Sequence, residues 1–374
     1  MKRIVVTTGG TGGHIFPALA VAQALRVMYP GLSAAFVGGQ GPEGVLARKA
    51  GLRFVALPAK GVFGRGIRGA LEGLMSTRAA FQAMNFYRTF KPDLVAGFGG
   101  YASFYPMLAA WFLGIPTALH EQNSVPGVTN KLLGKIATRI FTTYPDEAGV
   151  FDPKKTILTG NPVRHDIAAL WDAPARTGDA TRHILVLGGS QGAKAVNSAV
   201  LAALPSLLGA GFRVTIQTGR ADFERVIEAA AEVSEARRSQ GLAKPGELVI
   251  ENFIEDMAAA YSTADLIIAR SGASTLAEVT SAKKPAILVP FPHATHDHQT
   301  VNASFMARTG AAVLIEQKRL DPEALAALVI DLFDHPERLA AMSEAAGKLA
   351  APRAAETIAR ELAALGHNTD GGRA

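Results

Sequence analysis

The chain has 374 residues, no cysteine, and 38 Lys and Arg against 32 Asp and Glu, for a formal net charge of +6. That length suits two domains of ordinary size. The missing cysteine excludes disulfides, thiolate nucleophiles and Cys-ligated zinc. The charge is uneven: residues 1–164 hold 18 basic and 7 acidic side chains (+11), residues 165–374 hold 20 and 25 (−5). A basic first half points to an anionic substrate or surface; with no RNA- or DNA-binding motif, no nucleic-acid partner is expected. Met1-Lys2-Arg3 runs straight into a strand-like segment without the apolar length of a signal peptide. No run of 18 apolar residues appears, so no membrane span is expected.

In chain order, strands are expected at 3–8, 34–38, 53–57, 93–97, 116–120 and 139–143, with helical stretches between them such as 17–29 and 42–50. This alternation predicts a parallel sheet covered on both faces. One segment breaks the rhythm. Residues 61–90 open with four glycines and continue as a helix carrying Leu71, Leu74, Met75 and Phe81 among Arg65, Arg68, Arg78 and Arg88. Arginine beside large apolar residues suits an interfacial helix on anionic lipid; an amphipathic helix packed on the sheet is the plainer alternative. Asn161-Pro162-Val163-Arg164 marks the crossing point, followed by a connector at 172–182. A second set of strands is expected at 183–187, 212–217, 247–251, 265–269, 286–289 and 311–315. Helices are expected at 194–208, 221–239, 256–262, 274–281, 298–308 and 322–333. A helical ending over 336–365 precedes a tail, 366–374, expected to be disordered.

Two glycine turns of one design sit half a chain apart. Gly9-Gly10-Thr11-Gly12-Gly13-His14 follows the first strand, and Gly188-Gly189-Ser190-Gln191-Gly192-Ala193 follows 183–187. Strand, glycine turn, helix presents bare backbone N–H groups at a helix N-terminus, where they hold a phosphate or another anion. Neither turn fits GxGxxG with its ribose acid, and neither fits GxxxxGK[ST]. His14 stands at the head of a helix, at the mouth of an expected interdomain cleft, where its neutral form is favoured and suits a base. His120-Glu121-Gln122-Asn123 ends a buried strand; there Glu121 can accept a proton and Asn123 can bond a sugar hydroxyl. Gly97-Phe98-Gly99-Gly100-Tyr101 supplies a third turn at the same edge. Arg270 to Glu278 follows the strand at 265–269. Ser274 and Thr275 can cap its helix, and Glu278 can take two ribose hydroxyls. His293, His296, Asp297 and His298 lack a recognised ligand spacing, and no Asp-x-Asp occurs, so no metal and no cofactor are expected.

Taken together and in order, these turns resemble the MurG family, the UDP-N-acetylglucosamine transferases of bacterial peptidoglycan synthesis. The segments that carry the likeness are Gly9 to His14, Gly99-Gly100-Tyr101, His120 to Asn123, Gly160 to Arg164, Gly188 to Ala193 and Ser271 to Thr275. The likeness runs from about residue 3 to about 363. It implies a GT-B fold, an α/β architecture of two Rossmann-like domains with a cleft between them. The domains would be 1–163, joined by the final helix at about 350–365, and 164–349. It implies inverting, metal-independent transfer of GlcNAc from UDP-GlcNAc to the C4 hydroxyl of MurNAc in lipid I, giving lipid II and UDP. By the same resemblance Thr11, Gly12, Gly13 and Asn123 meet the GlcNAc side. Arg164, Ser190, Ile254 (through its backbone), Ala273, Ser274, Thr275, Leu276, Ala277, Glu278 and Gln299 hold the nucleotide sugar. His14 is the preferred base with Glu121 behind it. Leu71, Leu74, Met75 and Phe81 are the expected contacts with an anionic membrane surface, placing the protein peripherally on the cytoplasmic face of the inner membrane, with room for other cell-wall synthesis proteins as partners. Residues 102–106 are bulkier than in many relatives. Rival readings are a UDP-GlcNAc 2-epimerase or another GT-B enzyme, a dinucleotide-dependent oxidoreductase, and a non-catalytic nucleotide-sugar sensor.

Overall fold

The computed structural model describes residues 1–58, 66–174, 182–189, 192–239, 246–294 and 297–367, with the backbone alone for 66–76 and 237. Two compact units result, one of Met1–His165 with the segment from Ala351 onward, the other Asp166–Ala350. Each is a wholly parallel sheet.

The first unit holds strands β1 (Arg3–Thr7), β2 (Ser33–Gly38), β3 (Arg53–Ala56), β4 (Leu94–Gly97), β5 (Thr117–Glu121), β6 (Arg139–Thr142) and β7 (Thr156–Leu158). Its helices are α1 (Gly12–Met28), α2 (Glu43–Lys49), α3 (Gly66–Phe90), α4 (Tyr101–Phe112) and α5 (Val128–Gly134). The sheet order is β3-β2-β1-β4-β5-β6-β7. Central strands such as Ile4-Val5-Val6 are fully buried because helices cover both faces, so they read as unbroken apolar runs rather than alternating ones. Strand β7 went unforeseen; three residues after a Lys-Lys pair are too few to show a period.

The second unit holds α6 (His165–Ala168), which begins at the boundary, then β8 (His183–Leu187), α7 (Lys194–Gly209), β9 (Arg213–Gln217), α8 (Phe223–Ser239) and β10 (Glu247–Glu251). It continues through α9 (Met257–Thr263), β11 (Leu266–Ala269), α10 (Ala273–Ser281), β12 (Ala286–Leu288), α11 (His298–Arg308), β13 (Ala312–Leu314), α12 (Pro322–Asp334) and α13 (Pro336–Leu349). Its sheet order is β10-β9-β8-β11-β12-β13.

The helical ending comprises two helices. Helix α13 stops at Leu349, Ala350 takes an extended conformation, and α14 (Ala354–His367) packs on α1 in the first unit. Ala355, Ile358, Ala359 and Leu362 repeat at helical spacing and are buried with Ile15, Val21 and Leu25. Burying Ile358 and Leu362 contributes roughly 1.5–3 kcal/mol each. Gly366 and His367 belong to α14 instead of to a tail, and His367 meets the amino group of Met1; residues 368–374 lie outside the described residues.

In each sheet the strand order reverses beside its first strand, between β1 and β4 in one unit and between β8 and β11 in the other. Connections leave such a point in opposite directions and open a crevice at the carboxyl ends of the strands, where α/β proteins bind ligands. The turns Gly9–His14 and Gly97–Tyr101 follow β1 and β4, and the turns Gly188–Ala193 and Arg270–Thr275 follow β8 and β11. The topology therefore brings together glycine turns that the sequence holds roughly eighty to ninety residues apart in each unit, a separation of the order expected for two intervening βα units.

Candidate functional site

In the first unit the turns after β1 and β4 meet backbone to backbone. Gly100 has φ +76°, and a Cβ there would stand inside the Gly9 carbonyl oxygen. Helix α1 begins after Thr11 and α4 after Gly100; neither N-cap supplies a side-chain bond, and neither first turn holds an acid. Neither helix start is closed by its own side-chain cap or by an acid, the arrangement that suits an anion at a helix N-terminus. Thr11, Gly12 and Gly13 form the entry to α1, and His14 stands on its first turn.

His14 is tied to the end of β5. Its Nδ1 lies 3.0 Å from Gln122 Oε1. The Gln122 amide is oriented by its other end, where Nε2–H donates to the Phe98 carbonyl at 2.9 Å. With the amide oxygen facing His14, Nδ1 carries the imidazole proton in the neutral ring, and Nε2 keeps its lone pair. Gln122 is 1% exposed, so the orientation is held by burial as well. This residue was visible within the run 120–123, but its role was not, because nothing in the spacing shows which neighbour an amide will address.

Glu121, expected as a proton acceptor, is 2% exposed and already engaged. Oε1 accepts from the Asn123 N–H at 2.9 Å and its side-chain amide at 3.4 Å. Oε2 accepts from the Gly127 N–H at 3.1 Å and from Asn130 Nδ2 at 2.7 Å. Asn130, on α5, had no signal in the sequence. The carboxylate therefore shapes the loop 123–127 and holds Asn123 in place. His120 is also internal: Nε2–H donates to the Gly160 carbonyl at 3.1 Å, and burial pulls its pKa down to about 4. Arg164 lies with its guanidinium 5.4 Å from the Phe16 ring centroid, a cation–π contact at the first turns of α1.

In the second unit, Gly189 and Gly192 of the turn after β8 have positive φ, as does Gly219 after β9. A Cβ on Gly219 would come within 2.5 Å of the Gly192 nitrogen, so these turns are also in backbone contact. Helix α7 starts without a side-chain cap or an acid in its first turn. Ser190 lies outside the described residues. Below the turn, Asn197 Nδ2 donates to the Thr218 carbonyl and to Asp222 Oδ2 at 2.7 Å. Arg225 grips Asp222 with two 2.7 Å bonds, which hold that carboxyl below the usual carboxylate range.

Helix α10 corrects one expectation. Its N-cap is Gly272, which has no side chain to offer; Ser274 and Thr275 stand inside the first turn beside Ala273. Glu278 follows one turn later, and its Oε2 accepts from the Tyr261 hydroxyl at 3.0 Å. Leu276 and Ile254 are buried, so any ligand contact at either is through the backbone. Ala277 and Glu278 are partly exposed. Gln299 opens α11: its side-chain oxygen accepts from the Phe291 N–H at 3.0 Å, and its carbonyl accepts from the Ser271 hydroxyl at 2.8 Å. Arg270 braces the same loop through the Val289 and Pro290 carbonyls and Gln317 Oε1.

Helix α3 spans the segment expected to be interfacial. Ala79, Ala83 and Tyr87, four apart, form its buried stripe, whereas Phe81 is 66% exposed. The side chains of Leu71, Leu74 and Met75 lie outside the described residues. Trp111 and Phe112, at the end of α4, are also exposed. Among the described residues no helix is long and apolar enough to cross a membrane.

Residues 4–142 match the glycosyltransferase family 28 N-terminal domain, and residues 183–358 match the family 28 C-terminal domain. The UDP-N-acetylglucosamine–N-acetylmuramyl-(pentapeptide) pyrophosphoryl-undecaprenol N-acetylglucosamine transferase of Solidesulfovibrio magneticus is 59% identical over 98% of both chains. The crystal structure of MurG from Acinetobacter baumannii superposes with a TM-score of 0.75 at 33% identity, over 97% of this chain and 99% of that one. A UDP-GlcNAc 2-epimerase from Neisseria meningitidis, solved with UDP-GlcNAc, reaches a TM-score of 0.68 at 15% identity over 97% and 99% of the chains, a likeness of fold alone. The chain is a glycosyltransferase of family 28 with the GT-B fold, and it belongs to the MurG family.

Proposed function

We infer that the protein transfers GlcNAc from UDP-GlcNAc to the C4 hydroxyl of MurNAc in lipid I, forming lipid II and UDP in peptidoglycan synthesis. The observation that carries the chemistry is the chain His14–Gln122–Phe98 at the carboxyl ends of β1, β4 and β5. It leaves the His14 Nε2 lone pair as the proton acceptor. As Nε2 takes the hydroxyl proton, the C4 oxygen bonds to the anomeric carbon from the face opposite the nucleotide. The bond from that carbon to the β-phosphate oxygen breaks, and UDP leaves with the electron pair. One displacement inverts the anomeric centre.

Glu121 fits a positioning role better than a basic one, since its four hydrogen bonds hold the loop that presents Asn123. The nucleotide sugar is assigned to the second unit. The first turn of α7 and backbone donors near Ser190 would offset charge on the departing diphosphate, with Arg164 adding a guanidinium. Glu278, aligned by Tyr261, would take the ribose hydroxyls, and the backbone at Ile254 would face uracil. Thr11, Gly12 and Gly13 would meet the sugar. The acceptor is lipid-linked, so the first unit would rest on the cytoplasmic face of the inner membrane. Exposed Phe81, with Leu71, Leu74 and Met75 on the same helix and basic residues around it, would supply apolar insertion and charge, at about 1 kcal/mol per basic residue.

The test is incubation with labelled UDP-GlcNAc and a lipid I analogue. A β-linked disaccharide product supports the assignment. Conversion of UDP-GlcNAc to its 2-epimer without a lipid-linked product would overturn it.

A further inference from the structure

Beneath the first glycine turn lies a carboxyl that the chemistry above does not use. Glu43, the first residue of α2, is fully buried, and neither of its oxygens has a hydrogen-bond partner among the described residues. Its surroundings are glycine backbone. A Cβ on Gly9 would come within 2.9 Å of Oε1 and one on Gly39 within 3.0 Å; a Cβ on Gly41 would come within 2.5 Å of Oε2. The Gly9 position is also filled by Ala102 of α4, and the Tyr101 hydroxyl lies 3.8 Å from the Gly39 position. Three connections therefore converge on one carboxyl: the turn after β1, the turn 39–41 after β2, and the head of α4 after β4.

A buried carboxyl without partners costs several kcal/mol. A chain that keeps one, and clears three neighbouring positions of side chains to hold it, has a use for its acceptor oxygens. The backbones of those turns and the Tyr101 hydroxyl lie on its borders. We propose that Glu43 is a positioning residue for the acceptor side of the reaction: its carboxyl takes backbone N–H groups of the turns at 9–10 and 39–41 as they settle on the lipid-linked sugar diphosphate, fixing the register of the turn that leads to His14. The proposal rests on the assignment of the acceptor to the first unit. It predicts that binding of the nucleotide is spared, because UDP is assigned to the other unit, whereas use of the acceptor suffers.

The experiment measures steady-state transfer to a lipid I analogue by the full chain and its Glu43→Gln variant, varying each substrate in turn and recording UDP affinity and Tm alongside. Gln keeps the shape but puts an NH2 where one set of donors must be received. The expected result is a fall in kcat/KM for the acceptor of at least about tenfold, within the range that a small misplacement of a reacting group produces, with UDP affinity close to wild type and the Tm not lowered. Gly41→Ala provides a second route, since its Cβ displaces Oε2 without altering charge, and it should give the same signature. The proposal is overturned if both variants match wild type, or if acceptor and donor parameters fall together in step with the folded fraction. Failure of the wild-type chain to use the lipid I analogue would instead strike the functional assignment.

Discussion

Replacing Glu121 by Gln separates a base from a brace. Each carboxylate oxygen receives two N–H donors, Asn123 N–H and Nδ2 at one, Gly127 N–H and Asn130 Nδ2 at the other. A glutamine amide can satisfy one pair with its oxygen but must set its NH2 against the other. Two charge-assisted bonds are lost, at about 1.5–3 kcal/mol each, so about 3–6 kcal/mol of stability should disappear. That is a large share of the roughly 5–15 kcal/mol a folded protein holds. For a unit of this size each kcal/mol lowers Tm by about 2–4 °C, so a fall of about 6–24 °C is expected. Calorimetry of the full-length variant reads the shift, and transfer assays well below the new Tm read activity. Per folded molecule, activity should fall less than the ~10²–10⁴-fold typical of a lost general base. A Tm within about 2 °C of wild type, together with a thousandfold loss of kcat, would refute the brace and make Glu121 the base.

Other outcomes follow from the same geometry. Gln122→Ala frees the His14 ring from its fixed tautomer; with one hydrogen bond worth about 0.5–1.5 kcal/mol, kcat should drop up to about tenfold while UDP affinity, read by calorimetry, holds. Because the folded-state pKa of His120 lies near 4 against 6.5 ordinarily, the unfolded chain binds its proton first as pH falls. The stability this residue contributes, up to about 3 kcal/mol, is complete above pH 6.5 and is lost progressively toward pH 4. His120→Asn should flatten the stability profile between pH 6.5 and 5, and an unchanged slope there would remove His120 from the account. Tyr261→Phe deletes one hydroxyl bonded to Glu278 and should weaken UDP by up to about tenfold without changing kcat at saturating donor. With no Asp-x-Asp in the sequence, turnover should survive EDTA; loss restored by Mg²⁺ or Mn²⁺ would show that a metal takes part.

The sheets were legible because central parallel strands are short apolar runs, and twelve of the thirteen strands among the described residues fall where such runs were expected. The turns after β1, β4, β8 and β11 could be found one by one, yet only the strand order joins Gly9 to Gly100. Side-chain duty was harder to read. Glu121 looked like a free carboxylate because its partners Gly127 and Asn130 stand six and nine residues on, in a turn and a helix with no pattern of their own. The capping reading of Ser274 and Thr275 misjudged a helix that starts at Ala273, with a bare Gly272 as its N-cap. Residue types at a strand end therefore indicate where chemistry occurs, and the hydrogen-bond network indicates which of them remain available for it.

The central claim is that His14 removes the acceptor proton, and it is tested most directly by His14→Ala with two readings on one preparation. The account predicts UDP-GlcNAc affinity within about threefold of wild type and a single-turnover transfer rate lower by about 10²–10⁴-fold. A transfer rate within a few-fold of wild type, or a loss of rate matched by an equal loss of affinity, would contradict it.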